Sequence, residues 1–372
     1  MASGARVLVT GSGGLAGVNF VRALRASERR YYIVGTDFNR YHLVYPDVDA
    51  RYLTPRHTDP AFVPRVASIV RDERIDFLHA QPSSEAYVID GERKRRIGCR
   101  VFLPEKRVME VGQDKLRSQQ ALARKGVPVA RTRAVSSLAD VREAFSELSI
   151  DLSSEPGTPL WVRARHGAGG RLSLLCATHR EARHWIELWA LRGSPVEEFI
   201  IQEYLPGRNI AWDSIWHEGR LITSYARERL EYPFKHISPS GITGTPSVAR
   251  IVHDERLNAV AQDAVRAIDP KPHGAYSIDA KESAAGEMCV TEVDAGKFHS
   301  TMPLWGYIAV KHLKMPWFAN LADLYVRLGL GERVARSSIP RTDLIPDGYY
   351  LLRDMDVGAF LWREDGWKEK VL

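Results

Sequence analysis

Three acidic side chains late in the chain, Asp279, Glu292 and Asp294 in GAYSIDAKESAAGEMCVTEVDAGKFHS, are spaced as a metal site on a β-hairpin would be. Asp279 closes one strand-like segment. Glu292 and Asp294, two residues apart on the next, share a strand face. Carboxylates gathered across a hairpin repel one another in a partly dry site. Mg2+ carrying ATP phosphates relieves that repulsion, because a hard cation takes oxygen ligands and keeps coordination positions for nucleotide oxygens. The ordinary alternative is that paired strand acids face solvent.

Two earlier stretches carry chemistry that matches a nucleotide. PLWVRARHGAGGRLSLL sets Arg163 at the end of a strand, before a loop holding Gly167, Gly169 and Gly170. A guanidinium beside a loop of accessible backbone N–H groups suits a polyphosphate, although glycine-rich hairpin tips are also plain turns. FIIQEYLPGRNIAWDS ends a strand at Gln202, Glu203, Tyr204 and Leu205. A strand end with free backbone groups beside a carboxylate can meet an adenine edge and a ribose hydroxyl; its ordinary reading is a hinge with a solvent-facing glutamate.

A competing chemistry comes from the start. RVLVTGSGGLAGVNFVRAL reads as strand, tight turn and helix, with Gly11, Gly14 and Gly17 at the turn and Asp37 twenty residues after Gly17. That arrangement fits a dinucleotide pyrophosphate and a ribose, or a turn with no ligand. A nicotinamide oxidoreductase or epimerase of this kind also needs Tyr-x-x-x-Lys, in which the lysine lowers the tyrosine pKa. Tyr307 and Lys311 in WGYIAVKHL have the spacing but lie far beyond the distance such a fold gives, and residues four apart on a helix coincide often.

These residues must be positioned by more than one domain. The chain has 372 residues, 44% of them hydrophobic, enough for two or three domains. Up to about residue 107, strands near 6–10, 31–37, 75–80 and 99–104 alternate with helices near 17–27, 60–72 and 84–97, which implies a parallel sheet covered on both faces. Helices DKLRSQQALARKG and SSLADVREAFSEL follow, then a loop at 153–159, then strands of more antiparallel character.

The net charge of +6 favours anionic ligands in general. The compact basic run Arg93 to Arg100 lacks interleaved aromatics, so nucleic acid is not an expected partner. No apolar run reaches membrane-spanning length and the first residues lack a secretory apolar core, so neither a membrane nor export is expected and the cytoplasm is the default. Cys99, Cys176 and Cys289 are widely spaced and predict neither a disulfide nor a zinc site.

Taken in order, Lys115 opening a helix, the Arg163 strand with its glycine loop, the Glu203 hinge, the basic segment Arg227 to Arg229 and the Asp279, Glu292, Asp294 trio resemble the ATP-grasp superfamily, nearest its carbamoyl-phosphate-synthase-like branch. That branch is similar in using arginine where many members have lysine in the Arg163 strand. The resemblance implies an α/β and α+β protein: a Rossmann-like pre-ATP-grasp domain over 1–110 that does not bind NAD, a small ATP-grasp subdomain over 111–205, a large one over 206–330, and C-terminal strands over 331–372 packed on them. It implies ATP and Mg2+ as cofactors, with Lys115, Arg163, Gly169 and Gly170 at the phosphates, Gln202 to Leu205 at adenine, and Asp279, Glu292 and Asp294 at the metal. Arg227, Arg229 and Lys297 would grip a substrate carboxylate or the γ-phosphate.

The chemistry implied is a carboxylate-amine ligase: a small-molecule acid is phosphorylated by ATP to an acyl phosphate that an amine attacks. An ATP-binding regulatory module without turnover is the alternative of another class, and the nicotinamide enzyme is third. A homodimer is a family-level expectation. Four departures stand out, one being Leu172 in place of a frequent loop glycine. The usual ribose acid falls at Asn209, leaving Asp213 or Glu203 for that role; the third metal position, usually asparagine, is Asp294; and Lys297 stands one residue late for the arginine that steadies the transferred phosphoryl. Thr245 is placed in a loop closing on the substrate.

Overall fold

The computed structural model describes residues 4–92, 96–152, 158–167 and 169–372. Most of the loop 153–159, Ala168 of the glycine loop and residues 93–95 of the basic run lie outside the described residues.

The first layer is a five-stranded parallel sheet of β1 (Arg6–Thr10), β2 (Tyr32–Asp37), β3 (Ala50–Leu53), β4 (Phe77–Ala80) and β5 (Arg100–Val101), in the order β3-β2-β1-β4-β5. Strand β1 is buried from Val7 to Thr10, as a strand covered on both faces must be. Helices α1 (Leu15–Arg25), α2 (Phe62–Asp72) and α3 (Ser83–Glu92) make the crossovers. In α2 the buried residues Phe62, Val66, Ile69 and Val70 recur at helical spacing and give it one apolar stripe. Alternation predicts four of the five strands. β3 is missed because none of its four residues is buried; half-buried and exposed positions alternate at a sheet edge.

Helices α4 (Lys106–Gln113) and α5 (Lys115–Ala123) lead into a second, antiparallel layer. Asp114 starts α5, its side chain accepting from the Leu116 and Arg117 backbone N–H groups. The layer comprises β6 (Thr132–Ala134), β7 (Leu160–Ala164), β8 (Leu174–Cys176) and β9 (Phe199–Glu203) in the order β6-β9-β7-β8, with α6 (Asp140–Asp151) and α7 (His179–Leu191) between them in sequence. Its apolar core, which includes Phe145, Leu148, Leu160, Ile186, Phe199 and Ile201, is separate from the cores of the rest of the molecule.

The third layer is an eight-stranded sheet of β10 (Asn209–His217), β11 (Arg220–Glu231), β12 (Val248–Val252), β13 (Gly274–Glu282), β14 (Met288–Ala295), β15 (Tyr350–Asp354), β16 (Gly358–Trp362) and β17 (Lys368–Lys370). Its order is β14-β13-β10-β11-β12-β15-β16-β17, so the C-terminal strands do not merely pack on this layer; they extend it through β12. Helices α8 (Glu255–Ile268), α9 (Met302–Lys311) and α10 (Leu321–Gly329) complete the chain. One core joins this layer to the parallel sheet: Phe20 and Phe77 from the first layer cluster with Tyr225, Trp305 and Tyr325. Among the described residues no helix is long and apolar enough to cross a membrane.

Candidate active site

The three layers meet at a cavity of about 600 Å³. Its walls come from the Gly11–Gly17 turn, from Trp161 and Arg163 on β7, from the end of β9, from Arg229 on β11, and from the facing acids of β13 and β14. Residues 297–300 close the floor.

The acidic trio arrives as strand alternation predicts. Asp279 stands opposite Glu292 and Ser277 opposite Asp294, so the three carboxylates share one face of the hairpin. Each faces a cation. Arg229 Nη2 donates to Asp279 Oδ1 at 2.6 Å, Lys297 Nζ lies 2.9 Å from Asp294 Oδ1, and Arg163 pairs with Glu292, which also has Lys115 Nζ at 3.9 Å. Burial acts to raise the Asp294 carboxyl, but Lys297 and His299 prevail and hold it well below the usual range. Asp279 is likewise lowered against its burial, by Arg229 and His299. Burial pulls Lys115 down, with Glu292 opposing. Lys115 is itself almost fully buried, and its Nζ donates to the Gly167 carbonyl at 2.7 Å.

His299, which neither periodicity nor motif singles out, sits in the middle of these acids. Its Nε2 is 3.3 Å from Asp294 Oδ2 and 3.6 Å from Asp279 Oδ1, while Nδ1 is 3.1 Å from Asp213 Oδ1. Burial lowers its pKa, with Asp279 and Asp294 opposing. The only signal in the sequence is its place five residues after Asp294, in the loop leaving β14.

Two expected site residues lie elsewhere. Asp213 and Arg227 are fully buried, pair with each other beneath the floor, and are absent from the cavity wall. Ser277 donates to Asp213 at 2.6 Å, and burial pulls Arg227 down to about 9. Asp213 is therefore too deep to meet a ribose, and Arg227 too deep to grip a substrate. Arg229, two residues on, does line the cavity.

At the other wall, Gln202, Glu203, Tyr204 and Leu205 line the cavity together. Gln202 is tied back by its Nε2 to Thr132 Oγ1 at 2.8 Å, and Glu203 accepts from the Arg131 backbone N–H at 3.3 Å. The Trp161 and Tyr204 rings lie 6.4 Å apart, and Lys281 Nζ stands 5.1 Å from the Tyr204 ring centroid. Trp161 and Lys281 are additions that the sequence reading lacks. Burial and then Arg163 lower the pKa of Lys281, which makes no ion pair among the described residues. Gly169 and Gly170 also line the cavity. Gly170 has φ +70°, and a Cβ there would come within 2.6 Å of Ser240 Oγ, so no larger residue fits without displacing the 238–245 segment. Thr245 borders the cavity with its hydroxyl 3.1 Å from that of Ser300.

The amino-terminal glycines form the remaining wall. Gly11 has φ +56°, and a Cβ there would lie 2.3 Å from the Pro82 ring. Asp37 is turned onto its own loop, accepting from the Gly13 and Asn39 backbone N–H groups at 3.2 and 2.9 Å, which takes up the acid a dinucleotide ribose would need. Tyr307 and Lys311 line a different cavity.

Glu85, buried beside this turn, has its carboxyl pushed by burial from 4.5 up to about 7, with Thr10 opposing and Asp37 adding to the rise. Between these values the unfolded chain has lost the proton and the folded chain still holds it. Stability therefore falls as pH rises from about 4.5 to about 7, and the full loss persists above. Glu85→Gln is expected to flatten this slope and to be the more stable protein at pH 8, by on the order of 3 kcal/mol, read as urea midpoints of both proteins at pH 5 and 8.

No protein-family model matches the chain. A probable alpha-L-glutamate ligase of Aeromonas salmonicida (strain A449) is 27% identical over 184 residues, 49% of this chain and 56% of the relative. One of the same description from Cellvibrio japonicus (strain Ueda107) is 28% identical over 150 residues, 40% of this chain and 46% of that protein. The chain thus spans about half the length of the curated relatives it matches. The solved structure of N5-carboxyaminoimidazole synthetase from Staphylococcus aureus, complexed with ADP, superposes with a TM-score of 0.67 at 14% identity, over 95% of this chain and 83% of that one. An L-amino acid ligase from Bacillus licheniformis gives 0.64 at 14%, over 94% and 79%. The biotin carboxylase domain dimer of Hydrogenobacter thermophilus 2-oxoglutarate carboxylase, in complex with MgADP, ADP and bicarbonate, gives 0.66 at 14%, over 94% and 74%.

Proposed function

We propose, from the premise that the chain has the ATP-grasp fold of these neighbours, that it is an ATP-dependent carboxylate-amine ligase. The observation that carries this reading is the convergence of Asp279, Glu292 and Asp294 with Arg163, Arg229 and Lys297 on one cavity.

ATP and Mg2+ suit the residues present. Among the described residues no group of three or more His, Cys, Asp or Glu stands ready for a metal as the side chains now lie, since each carboxylate is turned to an arginine or lysine. Yet the donors are oxygens, the choice of a hard cation, and the Arg163 and Arg229 Nε–H groups are buried without an acceptor among the described residues. Phosphate oxygens would take the cations and free the acids, an exchange of partners that leaves no charge uncompensated. Asp279, Glu292 and Asp294 would hold the magnesium, which supplies neutralisation of phosphate charge when bound.

The side chains then have distinct tasks. Lys115, Arg163 and Lys281 hold phosphate oxygens, and the backbone of Gly169 and Gly170 approaches them. The end of β9 receives the adenine, with Trp161 and Tyr204 beside it; Glu203 is the remaining candidate for the ribose. Arg229 and Lys297 orient the substrate carboxylate for in-line attack on the γ-phosphate, and His299 keeps Asp279 and Asp294 in place. Phosphorylation gives an acyl phosphate and ADP; the amine nitrogen then attacks the acyl carbon, and phosphate leaves. No covalent enzyme intermediate is required, because positioning and charge neutralisation account for the rate.

Supporting the choice of chemistry, the curated relatives are described as glutamate ligases and one neighbour as an amino acid ligase. Small-molecule acids and amines are therefore the substrates proposed. The proposal extends to the division at residues 110, 205 and 330, to a homodimer, for which a neighbour described as a dimer speaks, and to the cytoplasm, in keeping with free Cys99, Cys176 and Cys289.

The test is a screen of acids and amines for ADP release that requires both, followed by transfer of oxygen-18 from the acid into phosphate. Label in phosphate supports the acyl-phosphate route. Nucleotide binding with no ADP from any pair would identify a module without turnover, and product without label would reject the route.

A further inference from the structure

The Tyr307 and Lys311 pair, unused by the site above, borders a second cavity of about 260 Å³ between α1 and α9. Helix α1 contributes Val18, Arg22, Arg25 and Ala26, and Tyr45 and Asp47 complete the wall. The charges are unbalanced: Arg22, Arg25 and Lys311 stand against Asp47. Arg25 is neutralised, with Nη2 at 2.8 Å from Asp49 Oδ2 and Nε at 3.4 Å from Asp47 Oδ2. Arg22 is not. Its Nη1 donates to the amide oxygen of Asn19 at 2.6 Å, and among the described residues no carboxylate pairs with it or with Lys311.

A half-buried guanidinium without a counter-charge is a costly arrangement that proteins seldom keep idle. Burial draws the Arg22 pKa below its ordinary value, with Tyr307 opposing.

We propose that this cavity is a binding site for a small oxyanion of the phosphate class, held between Arg22 and Lys311 beside the Tyr307 side chain. Two unpaired cations match the two charges a phosphate can carry better than the single charge of a carboxylate, and the planar fork of Arg22 can meet two phosphate oxygens at once. The space accommodates a phosphate with a small organic group attached. The site also touches the larger cavity through one residue: Asn19, which Arg22 engages, donates its Nδ2–H to the Ser300 carbonyl at 2.8 Å, and Ser300 lines the larger cavity. An anion on Arg22 would thus bear on the segment that carries Lys297 and His299.

The proposal does not rest on the ligase reading. Its test is calorimetric titration of the full chain with inorganic phosphate and, separately, with glycerol 3-phosphate as a phosphomonoester, at constant ionic strength set with chloride. The measurement is repeated in an Arg163→Gln background, where phosphate held in the larger cavity weakens and phosphate held between Arg22 and Lys311 does not. Saturable binding that Arg22→Gln abolishes and Lys311→Gln weakens about tenfold supports the site. Tighter binding of the ester would identify an organic phosphate as the ligand, and equal binding would identify free phosphate. Lys311 is exposed, so its replacement decides the matter if Arg22→Gln fails to fold. No saturable binding, or binding that Lys311→Gln leaves unchanged, would overturn the assignment.

Discussion

Arg163→Gln is expected to lower turnover in the proposed ligase reaction by about two to three orders of magnitude, the range seen when one fixed charge-stabilising donor is removed from an active site. Arg163 projects from β7 of the four-stranded layer and meets Glu292 on β14 of the eight-stranded layer, so it spans the gap in which the nucleotide is proposed to lie. Glutamine removes the charge and leaves Glu292 with Lys115 alone, at 3.9 Å. Arg163→Lys keeps a charge but loses the fork, and should retain more activity than glutamine while binding ATP less tightly than the native chain. Steady-state kinetics at saturating ATP check this. A Gln variant with unchanged turnover and only a raised KM would mean that Arg163 binds ground and transition states alike.

Arg227→Met should instead destabilise the whole fold, by about 3–5 kcal/mol, because it strips the counter-charge from a carboxylate that has no access to water. Asp213 is fully buried, as is Arg227. Ser277 and His299 still contact Asp213, but neither replaces the permanent charge of the Arg227 guanidinium. Replacing both partners, as Arg227→Met with Asp213→Leu, is expected to restore much of the loss, since two apolar side chains of similar bulk leave no charge stranded. Urea midpoints of the native chain, the single variant and the double variant make the comparison. A fully stable Arg227→Met protein that merely loses turnover would return Arg227 to the substrate-binding role its position in the sequence first implies.

That contrast shows where the sequence is legible. Period-2 alternation correctly brings Glu292 and Asp294 to one face and, with the hairpin, sets Asp279 opposite Glu292. The same alternation gives Arg227 and Arg229 a common face of β11, yet one is beneath the floor and the other on the wall. Depth along a strand depends on what the neighbouring layer covers, and no spacing within the strand encodes it. Asp213 is misread for the same reason. His299 is missed because it reaches the acids from a loop, where periodicity carries no information, and Lys281 because it stands at a strand position that sequence alone leaves to solvent. The glycine turn is legible as a turn. Its Asp37 becomes a loop-closing group only when β1 and β2 are placed side by side.

The four-stranded layer keeps its apolar core to itself and meets the remainder near the cavity through ion pairs such as Arg163 with Glu292 and Arg165 with Asp114. Tilting that layer away would break charged contacts that water can replace, while its hydrocarbon stays covered. Any such displacement would carry a modest heat-capacity change and a pronounced dependence on ionic strength. In thermodynamic character it would be an ionic latch and not a hydrophobic clamp.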